Sequence, residues 1–81
     1  MTRITAHDVS ALARLNAEVQ RWNEAHPDTQ VDVELRGPRS SWGVAIISLV
    51  DGLDQVHADV FADTLGDAIN AALAAWKEAR G

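Results

Sequence analysis

Hydrophobic positions recur along the chain with two different periods, and the changes of period divide it into five segments. Val9, Leu12, Leu15, Val19 and Trp22 fall at helical spacing, with Arg14, Glu18, Arg21 and Glu24 off that stripe. Thr5 stands where an N-cap belongs. Asp8, three residues on, can close a capping box and meets the positive end of the helix dipole. His26-Pro27-Asp28 ends the helix, because the residue before a proline disfavours helical geometry. Val31, Val33 and Leu35 then alternate with Asp32 and Glu34, the pattern of a half-buried strand. Turn residues follow from Arg36 to Ser41, and Trp42 to Val50 is almost wholly apolar. Asp51-Gly52 marks a hairpin turn, after which Val56, Ala58 and Val60 alternate with His57, Asp59 and Phe61. Thr64 caps a last helix with Asp67 at its capping-box position. There Leu65, Ala68, Ile69, Ala72, Leu73 and Trp76 form the cleanest amphipathic stripe in the chain.

This order predicts an α+β fold, α-β-β-β-α, as a single domain over residues 1–81. Short links favour a three-stranded antiparallel meander with the Trp42–Val50 strand central. Both helices have one apolar face, so both are expected on one side of the sheet, leaving the other side open. A sheet with one wet face should alternate cleanly, and the central strand does not. If Val44 and Ile46 point inward, Ala45, Ile47 and Leu49 face out, flanked by His57, Asp59 and Phe61 and bordered by Asp32 and Glu34. Contiguous exposed apolar surface on a small protein marks an interaction site, so these eight residues are the expected partner-binding surface. A homodimer through that open face is the simplest way to cover it.

Charge narrows the partner. The net charge is −5, and nine acids between Glu24 and Asp67 stand against Arg36 and Arg39 alone. Such a body repels nucleic-acid phosphates and suits a basic protein. There is no cysteine, no glycine-rich phosphate loop and no zinc-ligand spacing, so neither a metal nor another cofactor is expected. No apolar run approaches the ~20 residues of a membrane span, and the N-terminus lacks a signal peptide, so a cytoplasmic location without membrane contact is expected. His57, Asp59 and Glu34 could share one face and bind a divalent ion, although alternating polar residues on any solvated strand look the same.

Two families share parts of this pattern. Helix, three strands, helix is the order of double-stranded-RNA-binding domains. The chain resembles them in Gly37-Pro38 between the first two strands and in Ala71-Ala72-Leu73-Ala74-Ala75 of the last helix. It departs from them at Thr64-Leu65-Gly66-Asp67-Ala68, where that family carries phosphate-binding lysines. It departs again at Arg39-Ser40-Ser41, where the family's turn carries a histidine. The length, the tryptophan opening the central strand and the capped alanine-rich helix are also similar to small phage sandwich proteins, among them the phage ABA sandwich domain. That resemblance implies a phage accessory protein, such as an inhibitor of a host defence complex of the anti-CRISPR kind, acting by binding. The expected function is thus a non-enzymatic interaction module. One rival is a nucleic-acid-binding domain using Arg14, Arg21, Arg36 and Arg39. The other is a small metal-dependent enzyme using His57, Asp59 and Glu34.

Overall fold

The computed structural model describes residues 4–37, 40–50 and 53–80, with the backbone alone at 49 and 50. The order is α1 (Ala6–Ala25), β1 (Val31–Arg36), β2 (Trp42–Val50), β3 (Leu53–Ala62) and α2 (Leu65–Ala79). The strands form one antiparallel meander in the order β1-β2-β3. This is the α+β class expected from the pattern.

The core lies between the sheet and the helices. Val31, Val44, Ile46 and Ala58 supply the sheet side, and Leu65, Ala68, Ile69, Ala72 and Trp76 the α2 side. The capping box of α1 forms as expected. Asp8 N–H donates to Thr5 Oγ1 at 3.2 Å and Thr5 N–H donates to Asp8 Oδ2 at 3.0 Å. In α2 only half of the box forms: Asp67 N–H donates to Thr64 Oγ1, while the Asp67 carboxylate faces His7 Nε2 at 3.4 Å.

Three expectations about faces are corrected. The inward line of α1 is Asp8, Ala11 and Leu15, and Val9 is 58% exposed with Leu12 exposed beside it. The cause is that α1 lies mainly against α2 and touches β1 only lightly. The small Ala11, Ala68 and Ala72 are all fully buried, which is what a close approach of two helices requires. Leu73 is only half-buried on α2. In β3, Ile46 pairs with Ala58 but Ile47 pairs with Val56, so His57 is an extra residue, a β-bulge. One inserted residue reverses the faces beyond it, and Val56 is therefore exposed rather than buried.

Candidate interaction surface

Three cross-strand rows build the open face of the sheet. Arg36, Gly43 and Phe61 form the first, Glu34, Ala45 and Asp59 the second, and Asp32, Ile47 and Val56 the third. Alternation puts these residues opposite Val44 and Ile46, which are fully buried under the helices.

The first two rows are stitched together by Arg36. Its guanidinium donates to Asp59 Oδ1 at 3.1 Å, spanning the sheet from β1 to β3 over the small central residues. It also lies 5.7 Å from the centre of the Phe61 ring and 3.9 Å from Glu34. The Phe61 ring rests on Gly43, where an added Cβ would come within 2.6 Å of Cε1. A side chain at position 43 would therefore lift the ring off the sheet. Phe61 itself is 60% exposed, whereas Ala45 beneath this arrangement is only 2% exposed. Among the described side chains the apolar part of the surface is thus Phe61, Val56 and the half-buried Ile47, with Asp32, Glu34 and Asp59 around it.

Of the residues expected here, Ile47, Phe61, Asp59, Asp32 and Glu34 share this face, and Ala45 belongs to it without reaching solvent. The Leu49 side chain lies outside the described residues, as do Arg39 and the Asp51-Gly52 turn. His57 does not join. The bulge carries it to Ser48, on the helix side of the sheet, where Ser48 Oγ and His57 Nε2 are 2.7 Å apart. The H-x-D pair with Asp59 is therefore not formed, and among the described residues no three His, Asp or Glu side chains come together as a metal would need.

The Ser48–His57 pair invites comparison with a nucleophile and its base. Ser48 is buried, however, and no described side chain holds the other nitrogen of His57. A nucleophile must reach its substrate and its base must be oriented. This pair instead satisfies a buried hydroxyl beside the bulge. Period-two reasoning could not find it, because only a bulge brings the two residues together.

The arginines of the nucleic-acid reading are split between two surfaces. Arg14 and Arg21 line a groove of about 420 Å³ between the helices, together with Lys77 and Arg80. Arg36 is on the sheet face, held by Asp59. Arg80 stacks over Trp76 at 4.2 Å, and Arg21 pairs with Glu18 at 2.9 Å. Among the described residues no helix is long and apolar enough to cross a membrane.

No protein-family model matches the chain, and no curated protein or solved structure matches it either. Its surfaces are therefore the basis for a functional reading.

Proposed function

We propose that the protein is a non-enzymatic interaction module that binds a basic protein partner on the open face of its sheet. The observation that carries this reading is the composition of that face: exposed Phe61 and Val56 beside Ile47, ringed by Asp32, Glu34 and Asp59, with Arg36 as the one cation among the described residues. An aromatic anchor with apolar neighbours is what an energetic hot spot uses, and an acidic surround speeds encounter with a basic patch. The same acids weigh on self-association through this face, since two-fold apposition of the face sets a mostly acidic surface against itself. A heterologous basic partner suits it better. The concrete form of the proposal is an inhibitor of a host complex, acting by occlusion.

Capture from host-cell lysate tests this, with wild-type protein, Ile47→Glu and Phe61→Ala as baits. Phe61 is exposed and Ile47 half-buried, so Phe61→Ala should leave the melting point nearly unchanged and Ile47→Glu is compared at a temperature where its circular dichroism shows it folded, while a partner retained by wild type should be lost from both variants. A partner retained equally by all three would remove the open face as its site.

A further inference from the structure

The free edge of β1 is a second surface, independent of the open face. In an antiparallel pair, alternate residues direct their backbone groups to the neighbouring strand, and the others direct theirs outward. Val31 is of the outward kind, because its N–H and C=O are both taken by the side chain of Asn23, at 2.8 Å and 3.2 Å. That amide closes the edge at Val31 as a neighbouring strand would. By the same alternation Val33 and Leu35 also direct N–H and C=O outward, and no described group bonds them. The open stretch is therefore short and bounded on one side by Asn23.

Apolar surface adjoins it. Leu35 is 44% exposed, and Leu12 lines the same cleft between α1 and β1, with Val9 exposed on the adjoining turn of α1. This cleft exists because α1 leans on α2 rather than on β1. An unpaired edge with apolar side chains beside it is unfavourable in water and is a template for another strand.

We infer that a second copy of this chain pairs there, β1 against β1 in antiparallel sense, with the two-fold axis at Leu35. The argument for the occupant is charge complementarity. With the axis at Leu35, the two Leu35 residues exchange both backbone hydrogen bonds. Glu34 of each copy then stands directly opposite Arg36 of the other, in the non-hydrogen-bonded positions, where side chains approach most closely. Two reciprocal ion pairs result on the open face, and Leu35 and Leu12 of both copies meet beneath the sheet. Moving the axis to Glu34 would instead set the two Glu34 carboxylates against each other. The contact is short, Glu34 to Arg36 of each β1, and joins the two sheets edge to edge so that their open faces lie side by side, presenting two partner sites in one direction.

Sedimentation at micromolar concentration tests this. Wild type should run at twice the monomer mass. Glu34→Arg and Arg36→Glu, each of which creates like-charge pairs across the axis, should both be monomeric. The double variant, Glu34→Arg with Arg36→Glu, recreates the pairs with reversed polarity and should be dimeric again. Leu35→Pro removes the outward N–H without touching the open face, and should be monomeric and helical by circular dichroism. Ile47→Glu should remain dimeric while losing any partner on the open face, which separates this inference from the function proposed above. A monomeric wild type would overturn the inference, as would a double variant that stays monomeric while folded. A dimer lost in Ile47→Glu but kept in Glu34→Arg would place the contact on the sheet face. A single chain that recruits only a foreign strand, read as a mixed complex without self-association, would also overturn it.

Discussion

Asp8 and Gly66 are 58 positions apart in the chain, yet their contact joins the starts of both helices. The Asp8 carboxylate accepts from Thr5 N–H at 3.0 Å through one oxygen and from Gly66 N–H at 2.7 Å through the other. Position 66 has little room for a side chain, since an added Cβ would lie 3.0 Å from Asp8 Oδ1, an oxygen already fixed by its bond. The backbone N–H of Thr5 and then that of Gly66 hold the Asp8 carboxyl below its ordinary value. The sign follows directly: a carboxyl that is harder to protonate when folded stabilises the fold above the unfolded value near pH ~3.9 and stops doing so as pH falls through its folded value. We expect Asp8→Asn, which keeps one acceptor but not two, to melt at a lower temperature than wild type at neutral pH. The difference should begin to shrink below about pH 4, where the unfolded carboxyl takes up its proton, and go on shrinking as pH falls through the lower folded value. Thermal melts across that range check it. The capping role of Asp8 was legible from its spacing to Thr5. Its bond to Gly66 was not, because no local rule reports what lies across a helix pair.

At the scale of elements, α2 was the most legible part and α1 the least. The six-residue stripe of α2 is buried apart from Leu73, and both its start and its cap fall where Thr64 put them. The core weight therefore sits on Ile69 and Trp76, both fully buried. Ile69→Ala should cost about 2–5 kcal/mol, from lost transfer energy plus a residual cavity. A small domain has about 5–15 kcal/mol in total, so a large fall in melting point is expected. Ala74→Ser, on the exposed side, should stay within ~0.5 kcal/mol. Equal effects in thermal melts would mean that α2 is not docked. Along α1 the apolar stripe misled, because Val9 and Leu12 have the right spacing while α2 selects the face carrying Ala11. In β3 the alternation held only as far as the bulge. A period-two pattern carries no mark of an inserted residue when the residues on both sides remain mixed.

At the scale of the molecule, the described charges divide unevenly between two surfaces. Four of the seven basic residues, Arg14, Arg21, Lys77 and Arg80, line the groove between the helices, while Asp32, Glu34 and Asp59 stand on the open face of the sheet. Composition alone showed the excess of acid but could not show this division, which depends on how α1 and α2 are rotated against each other. Four groove cations set against a net charge of −5 weigh against the salt-dependent phosphate contacts that duplex binding needs. In filter binding at physiological salt we expect no retention of duplex RNA at micromolar protein. A salt-sensitive complex weakened by Arg14→Ala and Arg21→Ala would reverse that reading and return the first rival.

The edge-to-face arrangement of Trp22 and Trp76, with ring centres 5.7 Å apart and planes at 64°, has an optical consequence. One indole belongs to each helix, Trp22 also stacks on His26 at 3.8 Å, and the chain contains no tyrosine. Near-ultraviolet absorption and emission therefore come almost wholly from three indoles, two of which straddle the contact between α1 and α2. Parting the helices would bring the fully buried Trp76 into water and shift its emission to longer wavelength. The chain carries a built-in gauge of helix docking, and unfolding can be followed by its own fluorescence without an added label.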